Sequence, residues 1–248
     1  FLSRHDKWIN ISLKDFNKTA LTLPRYMIFE DWHYVDIVSG LYKKYNFSLL
    51  LKPEKSKKIE EEYKKRNINI VKWGFYIDTS KFKMRKLNNG FKYDLLLYGF
   101  INKYGYPLRV KFFEVLQFLN QRSNLRIKHI PHPGYYSGAL NKMPKNEKLS
   151  KIINESRFTM VTSSFKQLHL KKYLEVPMSG STIIGDIPPD YPELKGKMIE
   201  INRDATHDSI VQTIKKSFEN EYLEIEKESR RYGLDLYKKQ GFEVFGVV

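Results

Sequence analysis

The sequence predicts an α/β protein of two doubly wound domains facing a cleft, with the first domain reduced in size. Three observations carry that expectation. Short apolar, β-rich runs alternate with amphipathic helical stretches, the pattern of parallel sheets covered by helices. The alternation breaks once, over residues 73–93, where turn formers and charges run without clear periodicity, as in a segment crossing between domains. The 248 residues are 41% hydrophobic and include 17 Tyr and 16 Phe, enough apolar material to build a core. The expected division is 1–90 for a small first domain and 91–248 for the second.

Taken in order, Tyr26–Phe29, Phe47–Leu51 and Ile68–Val71 read as strands, with helices near 34–45 and 54–66 between them. The second helix is a solvated one, because Glu60/Lys64, Glu61/Lys65 and Glu62/Arg66 pair opposite charges at i,i+4. Asp94–Tyr98 starts the second alternation. Its helix begins at Pro107, a residue favoured at the first helical position, and puts Leu108, Phe112, Val115, Leu116 and Leu119 on one face. Strand 126–130 follows, then a helix capped near Asn146, strand 158–161, a helix over 167–178, strands 182–184 and 198–201, a helix with Ile210, Val211, Ile214 and Phe218 inward, and a charged amphipathic helix over 221–241.

Composition excludes several classes. With 44 Lys and Arg against 28 Asp and Glu the formal charge is +16, and there is no cysteine. A disulfide framework, a Cys-ligated metal site and thiol catalysis are therefore impossible. No run approaches the roughly 18 apolar residues that span a bilayer, and Phe1–Asp6 does not read as a signal peptide, so a soluble, cytoplasmic protein is expected. The positive charge fits either a lysine-rich solvated surface or an anionic partner. Four Asn-x-Ser/Thr triplets, at Asn10, Asn17, Asn46 and Asn154, are discounted as glycosylation sites without that signal.

In doubly wound sheets ligands sit beyond the carboxyl ends of the strands, so the residues just after each strand are the candidates. Gly99 to Arg109 is a loop with two glycines leading into a helix N-terminus, where backbone N–H groups favour an anion and Arg109 adds a formal charge. Pro131-His132-Pro133-Gly134-Tyr135-Tyr136 is a stiff turn: either a rigid surface feature or one presenting His132 and Tyr135 to a ligand. Thr162-Ser163-Ser164 offers hydroxyls for ligand oxygens or for capping the next helix.

The most informative stretch is Leu170 to Asp186. A carboxylate on a helix, Glu175, is followed five residues later by Gly180 at the helix end and at once by an apolar strand. This resembles the nucleotide-sugar-binding segment in the C-terminal Rossmann-like domain of GT-B glycosyltransferases (glycosyl transferases group 1). Trp73–Phe82 is similar to that family's interdomain sequence, Tyr93–Gly99 to the first strand and glycine turn of its donor domain, and Glu228–Gly233 to its closing helix. The resemblance implies that Glu175 bonds the donor ribose and that the small residues around Gly180 let the chain approach it. Two departures stand out. Many retaining members carry a second Glu eight residues earlier, where this chain has Gln167, which leans against the common retaining pattern. The first domain is also short for the family, so a trimmed acceptor domain or a piece of a larger, multidomain chain is expected.

The chemistry sets its own demands. Moving a sugar from a nucleoside diphosphate requires a stabilised diphosphate, by a metal on Asp-x-Asp or by cations and a helix N-terminus. No Asp-x-Asp occurs, which favours a metal-free and cofactor-free solution with Arg109 and Lys171 or Lys172 as cations. An inverting reaction also needs a base for the acceptor hydroxyl. Asp31 and His33, after the first strand, are the catalytic candidates, one orienting the other; Asp31 also reads as a plain helix cap. The expected partners are a nucleotide-sugar donor and a glycan or other hydroxyl-bearing acceptor, with no nucleic acid. The alternatives are a basic α/β module for nucleic acid or a protein partner, and a GT-B-like domain that has lost catalysis.

Overall fold

The apolar runs do form parallel strands. The structure, a computed structural model, describes residues 26–28, 35–44, 48–52, 57–72, 75, 77–132, 144–219 and 221–243. The chain divides into two compact units, Phe1–Gly74 and Phe75–Val248.

In the first unit β1 (Tyr26–Ile28), β2 (Leu49–Lys52) and β3 (Ile70–Lys72) form a parallel sheet in that order. Met27 lies opposite Leu50, and Leu50 opposite Ile70. Helix α1 (Val35–Lys44) buries Val38 and Tyr42 at i,i+4, and α2 (Lys57–Lys64) buries Tyr63. Arg66 Nη1 reaches Asp36 Oδ1 at 2.5 Å, linking the α2–β3 turn to α1.

Among the described residues the second unit holds a five-stranded parallel sheet of order β5-β4-β6-β7-β8: β4 (Tyr93–Gly99), β5 (Ile127–Pro131), β6 (Ser156–Val161), β7 (Thr182–Gly185) and β8 (Ile199–Glu200). Because successive side chains alternate across a strand, Leu95 and Leu97 join one hydrophobic layer and Leu96 and Tyr98 the other. One layer packs under α3 (Pro107–Arg122) and α6 (His207–Phe218); the other packs under α4 (Asn146–Asn154), α5 (Lys172–Met178) and α7 (Leu223–Glu243). Thr206 caps α6 by accepting from the Ser209 N–H at 3.2 Å.

The unit boundary falls earlier than residue 90, and burial explains why. Phe75, Ile77 and Phe82 are buried in the second core. Arg85 and Asn154 exchange N–H···O bonds of 2.8 and 3.2 Å, and Arg85 Nη1 donates to Ser150 Oγ at 2.8 Å, fastening this segment to α4. Two further expectations shift. The helix expected over 167–178 begins only at Lys172, because Gln167 takes a positive φ of 62° and breaks helical geometry. Helix α4 follows Lys145 with no side-chain cap, so Asn146 does not serve as one.

Candidate functional site

The strand order itself locates a crevice. From β4 the chain crosses to β5 on one side and then to β6 on the other, so the direction of winding reverses between β4 and β6. Doubly wound sheets bind ligands at such a switch point, outside the carboxyl ends of the strands. Here the loops after β4 and β6 meet there, the Phe165 N–H donating to the Gly105 carbonyl at 2.8 Å.

Tyr98, near the end of β4, is held at three places. Lys172, in the first turn of α5, donates from Nζ to its carbonyl and lies 4.0 Å from the centroid of its ring. One turn further along α5, Glu175 Oε2 accepts from the Tyr98 hydroxyl at 3.3 Å. Burial, then the Glu175 charge, push the tyrosine well above its ordinary value, so it stays a donor. Gly99 follows with φ +104°, and a Cβ there would run into Lys172 Nζ and approach Arg109 Nη1. Glycine suits this turn because the positive φ disfavours any side chain and the Lys172 amine fills the space a Cβ would take.

Arg109 is buried. Its guanidinium lies 3.9 Å from the Tyr106 ring centroid and donates to the Phe100 carbonyl at 3.0 Å and the Thr162 carbonyl at 3.4 Å. It thus ties the β4 loop to the β6 loop while placing a charge between them. That charge acts on its neighbours. Burial, then Arg109, push the Lys172 amine well below the usual lysine value, with Glu175 opposing. His132, after β5, packs edge-on against Phe100 at 5.4 Å; burial, then Lys172 and Arg109, lower it and favour the neutral ring.

Ser163 stands beside this cluster in a second network. Its N–H donates to Asp186 Oδ1 at 2.8 Å and its hydroxyl to Asp186 Oδ2. Asp186 also accepts from the Tyr173 hydroxyl at 3.1 Å, and Arg203 donates to Ser163 Oγ and the Ser164 carbonyl at 2.9 and 3.0 Å. A buried carboxylate so surrounded is compensated and holds the β6 loop in one shape.

The structure therefore brings Gly99, Arg109, His132, Lys172 and Glu175 together, with Ser163 next to them. It does not bring Gly180 to that place. Lys171 Nζ lies 5.9 Å from the Phe75 ring. Gly180 sits where α5 turns into the amino end of β7, with φ +89° and the space of a Cβ bounded by Met84 and Asn154, so the turn and close packing explain the glycine. Asp31, His33 and Tyr135 lie outside the described residues. Sequence reasoning missed Tyr98, Asp186 and Arg203. Asp186 directly follows β7 and Arg203 closely follows β8, so the rule about strand ends reaches both. It also missed His169, buried with Nδ1 2.8 Å from Asp190 Oδ2 and its ring stacked on Tyr191 at 4.8 Å; nothing in the spacing joins those two residues.

No family model matches the sequence, and no curated protein matches it in sequence. Among solved structures the chain superimposes on TarM with a TM-score of 0.54 at 10% identity, over 94% of this chain and 52% of that one. It superimposes on Anabaena HepE, solved in complex with UDP-glucose, with a TM-score of 0.52 at 8% identity, over 90% and 72% of the respective chains. A pneumococcal O-GlcNAc transferase, GtfA, in complex with UDP and GlcNAc, matches at a TM-score of 0.49 and 14% identity over 86% and 47%. The chain thus spans about half the length of the TarM and GtfA chains. The fold is of the GT-B glycosyltransferase type.

Proposed function

We propose that this GT-B chain is part of a glycosyltransferase that moves a sugar from a nucleoside-diphosphate sugar to a hydroxyl of a glycan or other acceptor. The observation that carries the reading is the convergence of Lys172 and Arg109 around Gly99 at the switch point, with Glu175 one turn along the same helix as Lys172. Such a group supplies positive charge where a diphosphate departs and a carboxylate for ribose hydroxyls. HepE, of the same fold, was solved with UDP-glucose.

In this reading Gly99 leaves room for the Lys172 amine at the strand end, and Lys172 meets the diphosphate oxygens with the field of Arg109 behind it. Neutral His132 is a hydrogen-bonding ring on the flank of the site. Ser163, held by Asp186 and Arg203, fixes the opposite loop. Asp31 or His33 of the first unit takes the acceptor proton. The reaction uses cations in place of a metal, a reading supported by the absence of Asp-x-Asp in the sequence.

The test is a thermal-shift panel of UDP, GDP, TDP, CMP and their sugars, with and without EDTA, and with Glu175→Ala as control. A selective stabilisation that follows the RT ln(1 + [L]/Kd) linkage, persists in EDTA and disappears in the variant supports the proposal. Stabilisation by a mixed DNA oligonucleotide and by no nucleotide would refute it in favour of a basic binding module.

A further inference from the structure

Two aromatic rings stand exposed on the two loops that bound the switch point. Tyr104, after β4, is 76% exposed, and Phe165, after β6, is 44% exposed. Neither contributes to a hydrophobic layer of the core. Their backbones are nonetheless fixed. Asn102 Oδ1 accepts from the Tyr104 and Gly105 N–H groups at 2.8 and 3.0 Å, and the Gly105 carbonyl then accepts from the Phe165 N–H at 2.8 Å. Each ring also carries an ammonium group: Lys103 Nζ lies 5.1 Å from the Tyr104 centroid and Lys166 Nζ 5.5 Å from that of Phe165.

Two exposed aromatics on loops joined by a backbone hydrogen bond, each with a cation, offer a surface that takes a flat apolar face with negative charge attached. We propose that Tyr104 and Phe165 form a platform for an anionic acceptor saccharide, whose sugar rings lie on the aromatic faces and whose carboxylates meet Lys103 and Lys166. This rests on the transferase reading, since the platform borders the loops that would hold the donor. A strand of nucleic acid also stacks on aromatics, but it asks for a basic groove tracking several phosphates. Two lysines on one pair of loops match the charge of one or two anionic groups.

The experiment titrates the full chain with trigalacturonate, neutral maltotriose and a (dT)4 oligonucleotide, reading saturation-transfer NMR and calorimetry. It is repeated with the Tyr104→Ala/Phe165→Ala double variant and with Lys103→Gln/Lys166→Gln. UDP-induced thermal shifts are read on the same samples. Trigalacturonate is expected to bind, with saturation passing to its ring protons. Removing the rings should weaken it at least tenfold, removing the lysines should abolish its preference over maltotriose, and the UDP shift should be unchanged in both variants. The inference is overturned if trigalacturonate does not bind, if (dT)4 binds as tightly, if the ring variant binds as well as the wild type, or if that variant loses UDP. The two readings fail separately: a saccharide bound at these rings with no nucleotide response sinks the transferase proposal, and a UDP response without saccharide binding sinks the platform.

Discussion

Lys172 Nζ donates to the carbonyl of Tyr98 and covers the ring of the same residue, so one amine closes both the backbone and the side-chain face of the strand end. This is a costly place for a cation, because it is desolvated and shares its space with Arg109. A group kept against such a cost serves a ligand better than it serves the fold. Lys172→Met keeps the length and removes the buried amine. We expect its melting temperature to equal or exceed that of the wild type while the UDP-induced shift is lost. A variant that unfolds at lower temperature and still responds to UDP would assign the lysine a structural role instead.

The same amine predicts how affinity varies with pH. Burial, then Arg109, lower Lys172 in the free protein, with Glu175 on its own helix opposing; burial, then Lys172 and Arg109, lower His132. A bound diphosphate adds negative charge and raises both groups, so binding takes up protons. Affinity for UDP therefore rises as pH falls through the window between the free and bound values. Without ligand the sign is opposite for stability. The unfolded chain holds the Lys172 proton to higher pH than the folded one, so the lysine's contribution to stability grows with pH between its depressed folded value and the ordinary lysine value. Calorimetry in two buffers of different ionisation enthalpy, above the range near pH 6 where phosphate itself titrates, reads the uptake. Zero net proton uptake there would contradict the assignment.

Glu175 has two contributions to separate, the hydrogen bond from Tyr98 and the negative charge. Glu175→Gln keeps an acceptor for the tyrosine hydroxyl and removes the charge; Glu175→Ala removes both. If the carboxylate bonds ribose hydroxyls, Gln should weaken UDP roughly tenfold, the scale of one charge-assisted hydrogen bond of about 1.5 kcal/mol, and Ala should weaken it further. Uridine, which keeps the ribose and lacks the phosphates, should show the same ratio between variants. A Glu175 effect seen with UDP and absent with uridine would place the carboxylate near the phosphates.

How much of this was legible in the sequence depends on which physical signal each part leaves. The second unit left a clear one: Leu95–Tyr98 is a continuous apolar run, and Phe158–Val161 is broken only by the buried Thr159, because both faces of a parallel sheet are covered. Glu175 was singled out because a helix carboxylate followed by Gly180 and an apolar strand resembles the GT-B donor segment, and Gly99 because its glycine loop leads from a strand end into a helix N-terminus. Gly180 was misplaced because a left-handed helix end and a close approach to ligand both ask for glycine, and sequence alone does not separate them. The helix start at Lys172 was missed because the positive φ at Gln167 has no marker in a glutamine. The networks of Asp186 with Arg203 and of His169 with Asp190 join residues 17 and 21 positions apart, and only the folded sheet brings them together.

A packing contact remote from the switch point tests whether the site depends on the position of α5. Gly233 of α7 lies against the carbonyl of Pro177 in α5, and a Cβ there would collide with that carbonyl and with the Met84 side chain. Pro177 has no N–H, so this end of α5 is held by packing as much as by helix bonds. The Tyr191 and Tyr232 hydroxyls, 2.7 Å apart, secure the same face of α7. Gly233→Ala must push α7 away or shift α5, at a cost of about 1–3 kcal/mol, the scale of overpacking. Because α5 carries Lys172 and Glu175, the variant should also lose UDP affinity, although no atom of residue 233 lies in the proposed site. Leu234→Ala, at an exposed position one residue on, should change stability by no more than about 0.5 kcal/mol. Chemical denaturation and UDP titration of the two variants together check this. Lost stability with unchanged UDP affinity would show that the two helices move apart without displacing the residues at the other end of α5.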